Sequence, residues 1–393
     1  MKSSFETMKS FLFPILALCC LPLSAQQNER LLVGNPYLQN VSSEGATVMY
    51  QNVEGSSVHS FVEVGEDSLH TTAFRQLADG QEVVHDTEHR VRLDGLQPGK
   101  TYYYRVCATE ITENHAYHKT FGRTERTPFF RFTLPSDTVT HFTALVLNDL
   151  HGVSAVIDAL ARLADSIPHD LVIFNGDCLS EPSNRAHALR MWHRLATAFR
   201  ASSIPCIFLR GNHEIRNAYS SGMLSLFEWP GGHTYHAFSW GDTRFVMLDC
   251  GEDKPDSTWV YYGLNDFSAF RRAQQDFLKK ETRSKVFKKA ARRILVHHIP
   301  LWHKTAEFIG PDMSLPCREL WLPELKKADI DLSINAHTHH FRFHPAGSVA
   351  NPYPVLVGGG PSLETATLTV LQKRGSQFHV RVLNARGEVL KEL

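Results

Sequence analysis

Five apolar runs, each closed by a short group of Asp, Asn or His, constrain the fold of this chain more than any other feature. Leu145-Val146-Leu147 leads into Asn148-Asp149-Leu150-His151, and Val172-Ile173-Phe174 leads into Asn175-Gly176-Asp177. Ile207-Phe208-Leu209 precedes Gly211-Asn212-His213-Glu214, and Ile294-Leu295-Val296 precedes His297-His298-Ile299-Pro300. The last run, Leu332-Ser333-Ile334, precedes Ala336-His337-Thr338-His339. Apolar runs without interruption are what strands buried on both faces require. Between them, residues 153–163, 190–199 and 274–280 carry helical spacing. Strands alternating with helices predict a layered α/β domain over residues 141–393. In open sheets of that kind the carboxyl ends of the strands line the ligand crevice, so five sets of oxygen and nitrogen ligands are expected to converge there.

Taken singly, each polar group has an ordinary explanation, since an Asp-x-His pair suits a surface turn as well as a metal. Their shared placement after strands is what points to a metal pocket. Gly358-Gly359-Gly360 has neither the Lys-Ser/Thr of a phosphate loop nor the spacing of a dinucleotide fingerprint, and reads as a turn.

Residues 30–135 follow a different grammar. Thr47-Val48-Met49-Tyr50, Ser60-Phe61-Val62-Glu63-Val64 and Arg90-Val91-Arg92-Leu93 alternate apolar and polar positions, and no helix-length periodic run appears. The turn Leu96-Gln97-Pro98-Gly99-Lys100 opens into the aromatic strand Thr101-Tyr102-Tyr103-Tyr104-Arg105-Val106. This region is expected to be an all-β sandwich, joined to the second domain through Leu134-Pro135-Ser136-Asp137.

The first 25 residues read as a signal peptide. Lys2 and Lys9 flank an apolar run at 11–23 that ends in Leu23-Ser24-Ala25. That run is too short to span a bilayer, and Leu18 before Cys19 is large for a lipoprotein signal. The expectation is an exported chain, periplasmic or secreted, with no transmembrane segment once the signal is removed. The remaining cysteines, Cys107, Cys178, Cys206, Cys250 and Cys317, are odd in number and lie mostly in apolar runs, so they are expected as buried thiols. Lys plus Arg number 41 and Asp plus Glu number 41. With no basic excess, no nucleic-acid partner is expected.

The five groups, in this order over residues 142–345, resemble the calcineurin-like metallophosphoesterase superfamily. The Leu-x-Pro-Gly-x-x-Tyr-x-Tyr corner before them resembles fibronectin type III domains, and the pairing resembles purple acid phosphatases. The resemblance implies a layered β-sandwich core flanked by helices. It further implies one metal on Asp149, His151 and His339, a second on Asn212, His298 and His337, and Asp177 bridging the two. The family pattern favours His298 over His297, which would then be packed or one step removed from the metal. Mixed nitrogen and oxygen ligands suit two divalent or mixed-valence ions of Fe, Mn or Zn rather than Mg alone or Ca.

The implied reaction is hydrolysis of a small-molecule phosphate ester by a metal-activated water. His213 would stabilise the transition state or protonate the leaving alkoxide, and Glu214 would orient it. His303 is a further residue to face the phosphate. Purple enzymes carry a tyrosine three residues after the bridging Asp, where this chain has Ser180, and they lack a histidine at the position of His151. No tyrosinate–iron colour is therefore expected. Ala336 stands where the family has Gly, which is tolerable if its backbone angle is ordinary. Phosphomonoester hydrolysis leads; a phosphodiesterase on the same site, and an exported binding module with a vestigial metal site, are the alternatives. Loops 251–266 and 302–317 are expected to shape the pocket.

Overall fold

Alternate residues of the strand His141–Leu147 enter different cores. Phe142, Ala144 and Val146 join one apolar cluster and Leu145 and Leu147 another, all at most 1% exposed. Side chains of a strand alternate between its faces, so an uninterrupted apolar run follows once both faces are covered. The structure, a computed structural model, describes residues 30–302 and 315–393. The signal-peptide expectation for residues 1–25 and the role suggested for His303 fall outside the described residues.

Cys206–Leu209, Leu171–Asn175 and His141–Leu147 pair in parallel. Thr367–Arg374, Gln377–Asn384 and Val389–Glu392 extend the same sheet by antiparallel pairing. The second six-stranded sheet runs in the order His236–Trp240, Thr243–Leu248, Arg292–His297, Leu332–Asn335, Val355–Val357 and Arg342–His344. Its inner pairs are parallel and its two edge pairs antiparallel. Phe142, Val146 and Ile173 of the first sheet share one core with Phe245, Met247, Ile294 and Val296 of the second. The outer face of the first sheet packs on Ile157, Leu160 and Trp192 of the helices Ser154–Asp165 and Arg185–Ala198. The outer face of the second packs on Leu278 and Trp321. Each such side chain contributes about 1.5–3 kcal/mol when fully buried, and the result is a rigid helix–sheet–sheet–helix platform.

Two helices begin earlier than periodicity predicts. Arg185–Ala198 starts five residues before position 190, because the Asn184 side chain accepts a hydrogen bond from His187 N at 2.8 Å. Phe267–Glu281 starts after Asp266, which caps Ala269 N. A capping side chain supplies a partner for an otherwise orphaned N–H and so fixes where the helix starts.

The leading strands form the expected β architecture. Leu32–Ser42, Gly45–Asn52 and Glu88–Asp94 make one sheet. Phe130–Thr133, Thr101–His115, Val58–Gly65 and Thr72–Phe74 make the other, with His118–Arg126 paired to Thr101–His115. Leu38, Val48 and Val91 of one share a core with Val62, Tyr104 and Val106 of the other. At the predicted corner, Tyr102 Oη accepts from Gln97 N at 2.7 Å, and Gly99 takes φ +77°. Tyr104 Oη donates to Ser202 O at 2.7 Å, and Arg185 Nε meets Glu88 Oε1 at 2.6 Å. Leu31–Leu393 accordingly make one compact unit. The five described cysteines are buried thiols. No helix among the described residues is long and apolar enough to cross a membrane.

One buried histidine sets an acid limit on this fold. His236, on an edge strand and 7% exposed, has an Nδ1 without a hydrogen-bond partner. Burial, with help from Arg244, pushes its pKa down to about 4. In the unfolded chain it titrates near ~6.5. Protonation therefore favours unfolding: the stability is fully present above pH ~6.5 and is lost as pH falls toward 4. The difference amounts to about 3 kcal/mol at about 1.4 kcal/mol per pKa unit. In paired thermal melts, His236→Gln is expected to lose less stability than the wild type between pH 7 and pH 4. Parallel losses in both proteins would show that His236 is not responsible.

Candidate metal centre

Five residues at the strand ends have left-handed backbone: Asp149 (φ 48°), His151 (46°), Asp177 (51°), His337 (71°) and His339 (58°). Each such residue costs on the order of 1–3 kcal/mol and persists only where its surroundings impose it. Neighbouring loops supply that constraint. Asp149 N donates to Gly176 O at 3.0 Å, His151 N to Asp177 O at 2.8 Å, and Ala336 N to His298 O at 2.8 Å. Ala336 itself is not among the residues with positive φ, so Ala serves there as well as Gly. Glycine is needed elsewhere. A Cβ on Gly176 would lie 2.4 Å from His298 Nδ1, and one on Gly211 would lie 2.3 Å from Asp177 Oδ1. The Gly358-Gly359-Gly360 turn also abuts the site, with Gly359 O accepting from Asn148 Nδ2 at 2.7 Å.

All seven sequence-predicted ligands come together. Asp149, His151, Asp177 and His339 offer ligand atoms within 4.8 Å of one another, and so do Asp177, His298 and His337. Asn212 Oδ1 lies 2.9 Å from His337 Nδ1, which adds it to the second group. Asp177 belongs to both. Among the close approaches, His151 Nε2 is 3.2 Å from His339 Nε2, and His298 Nε2 is 3.1 Å from Asp177 Oδ2.

Two carboxylates, Asp149 and Asp177, are buried here at 0% and 1% exposure. Burial pushes Asp149 up, yet cationic His298 and the imidazoles of His151 and His339 hold it well below the usual carboxylate range. Burial pushes His298 down, but Asp177 and Asp149 raise it to about 10. Burial and neighbouring His298 push His337 down to about 3. The buried atoms Asp149 Oδ1 and His298 Nε2 have ionic neighbours but no aligned hydrogen bond. Converging imidazole nitrogens, an amide oxygen and two carboxylates that need positive charge make a donor set that fits a pair of transition-metal ions.

The supporting contacts are specific. His298 Nδ1 donates to Asn175 O at 2.9 Å, which leaves Nε2 turned toward Asp177. His297 is packed away, with Nδ1 on Ile299 O at 2.8 Å and Asn335 against its ring. Asp253 Oδ2 stands 3.8 Å from His337 Nε2.

The orienting role expected for Glu214 is not what its contacts describe. Its buried carboxylate accepts from the backbone N–H of Asp177, Leu179 and Gly211 at 2.8, 2.8 and 2.6 Å, and so ties two loops together. The side chains on His213 are Arg216, whose Nη1 donates to His213 Nε2 at 3.2 Å, and Glu181, whose Oε1 is 3.4 Å from Nδ1. Because a guanidinium only donates, His213 Nε2 is the acceptor and Nδ1 carries the proton. His213 N donates to Asp177 Oδ1 at 2.8 Å, and its ring sits edge-on to His151 at 4.5 Å.

Sequence reasoning missed Glu181, Arg216, Glu252 and Asp253. The last two had a legible sign, since a sixth apolar run, Val246-Met247-Leu248, ends in Asp249-Cys250-Gly251-Glu252-Asp253.

Comparisons with known proteins give the family and the fold. Residues 142–341 match the family described as calcineurin-like phosphoesterase, and residues 35–121 match the purple acid phosphatase N-terminal domain. Purple acid phosphatase 15 of Arabidopsis thaliana is 23% identical over 367 residues, covering 79% of this chain. The match spans 63% of that relative's length. Among solved structures, the yellow lupin (Lupinus luteus) purple acid phosphatase PPD1 superposes with a TM-score of 0.65 at 14% identity, covering 91% of this chain and 73% of that one. PhoD superposes with a TM-score of 0.60 at 13% identity, covering 92% of this chain and 88% of that one. At such identities the likeness speaks for the fold.

Proposed function

The chain belongs to the calcineurin-like phosphoesterase family, and from that premise we propose that it hydrolyses phosphate monoesters at a two-metal centre. The ligands would be Asp149, His151 and His339 on one side, Asn212, His298 and His337 on the other, with Asp177 shared. The observation that carries the proposal is the membership of Asp177 in both groups of ligand atoms. Two Fe, Mn or Zn ions bound there would lower the pKa of water and neutralise charge on the phosphoryl oxygens.

The chain's own residues supply position and a proton. Asp177 receives the backbone N–H of His213, so the imidazole is held at the edge of the metal pocket. Arg216 holds its Nε2. In the reaction a water oxygen bonds to phosphorus and the bond from phosphorus to the ester oxygen breaks. The proton released by water balances the one that the leaving alkoxide gains. His213 serves that second transfer or the charge that precedes it. Ser180, where purple enzymes have a tyrosine, leaves no tyrosinate to colour the centre. Export through the leading segment belongs to the same proposal, as does a division into a sandwich over 30–135 and a phosphoesterase domain over 141–393.

The test is metal content measured beside turnover of a chromogenic monoester and its diester analogue. Two transition metals per chain, a colourless solution and chelator-sensitive monoester hydrolysis are expected. A diester turned over faster than the monoester would make the protein a phosphodiesterase. Folded protein that neither binds nor hydrolyses after Mn, Zn or Fe is supplied would leave only a binding module.

A further inference from the structure

A cleft of about 990 Å³ opens beside the metal centre. Glu181 and Arg216 line it, and both reach His213, at 3.4 and 3.2 Å, so the cleft lies one side chain away from the centre. Its apolar wall is built from Ile215, Leu224, Val260, Leu264 and Phe267. Leu264 is 87% exposed and Val260 39%. On the same short segment Trp259 and Tyr262 are also exposed, with ring centroids 6.5 Å apart. Four large apolar side chains held toward water within six residues mark a surface made for contact.

The cations lining the cleft are already matched. Arg210 pairs with Asp249, and Arg216 pairs with Glu252 at 2.7 Å and Asp253 at 3.3 Å. Lys254 pairs with Asp253 at 2.6 Å. Among the described residues, no cation lining the cleft is left over to hold a second phosphate or a carboxylate. The volume is that of a site for a whole organic ligand of roughly 300–1,000 Å³, more than a glyceryl or seryl group fills.

We propose that this cleft seats the organic part of the ester, and that the substrates are monophosphates of bulky, uncharged aromatic alcohols. Val260 and Leu264 are then specificity-determining residues. This rests on the monoesterase reading and narrows it. Removing an aromatic ring from water against Val260 and Leu264 favours the larger alcohol, while the paired cations and the Glu181 carboxylate turn away substrates with a second anionic group.

The experiment uses phenyl and 2-naphthyl phosphate, whose leaving groups are similar in acidity, together with O-phosphoserine. The wild type is expected to show a KM at least about tenfold lower for the naphthyl ester than for the phenyl ester, the equivalent of about 1.4 kcal/mol. Leu264→Gln and Val260→Asn, both at exposed positions and neutral, should abolish that preference and bring kcat/KM for both aryl esters down toward that for O-phosphoserine. Equal KM values for the two aryl esters, or a preference that survives both substitutions, would overturn the proposal. Calorimetric titration with 2-naphthylphosphonate keeps the two ideas apart when no ester is hydrolysed. Binding to the wild type but not to Leu264→Gln supports the cleft even then, whereas no binding, or binding to both alike, refutes it.

Discussion

Asp177→Ala is expected to lower monoester turnover by roughly a thousandfold or more, about 4 kcal/mol of transition-state stabilisation, and to empty the centre of metal. Two close contacts meet at this one buried side chain. It is 1% exposed, its Oδ2 lies 3.1 Å from His298, and its Oδ1 accepts the backbone N–H of His213 at 2.8 Å. Loss of the carboxylate leaves Asp149 as the only carboxylate among the seven proposed ligands. Asp177→Asn preserves the shape and the acceptor for His213 N but not the charge. Comparing the two variants therefore separates charge from loop packing. Elemental analysis of both proteins beside their kcat is the check. Full metal content with more than a tenth of wild-type activity in Asp177→Ala would remove it from the bridging position.

His213→Gln is expected to lower kcat by about a hundredfold to a thousandfold, the range of a positioned acid or base, with metal content and KM nearly unchanged. The imidazole touches the metal pocket from outside. It faces His151 edge-on and is held by Arg216 and Glu181, and it belongs to neither group of ligand atoms. An effect confined to kcat is what a group acting only as charge develops should give. Loss of metal along with activity would instead make His213 a structural brace for Asp177. The buried carboxylate of Glu214 does that kind of work, tying together the backbones of Asp177, Leu179 and Gly211.

Strand ends and ligand positions were legible because they repeat a local rule. An apolar run buried on both faces ends at the sheet edge, and the residues just past it face the crevice. Phe142 to Leu147 obeys that rule with a two-residue period, so Asn148-Asp149-Leu150-His151 was marked before any contact was known. The tyrosine corner was legible for a similar reason, since Gln97, Gly99 and Tyr102 lie within one turn. Helix starts were not. Arg185 and Phe267 begin helices whose first turns are capped by the Asn184 and Asp266 side chains, a signal separate from the apolar stripe.

The partners of His213 escaped for a deeper reason. Glu181 reaches His213 from a separate loop, and Arg216, three residues from His213, is itself fixed by Glu252 across 36 residues. Nothing periodic links such positions, so their pairing depends on which loops the two sheets bring side by side. The left-handed backbones of Asp149, His151, Asp177, His337 and His339 suit Asp and His better than most side chains, but that preference does not say which of the chain's many Asp and His residues take it. By itself, then, the sequence determined the layered sheets and the residues carried to their edge, because burial and alternation act over a few neighbouring residues. Only the tertiary structure decided that Asp177 would stand in both groups, that Arg216 rather than Glu214 would hold His213, and that an apolar cleft would open beside them. Those outcomes depend on long-range packing, which fixes distances between loops that the chain itself leaves independent.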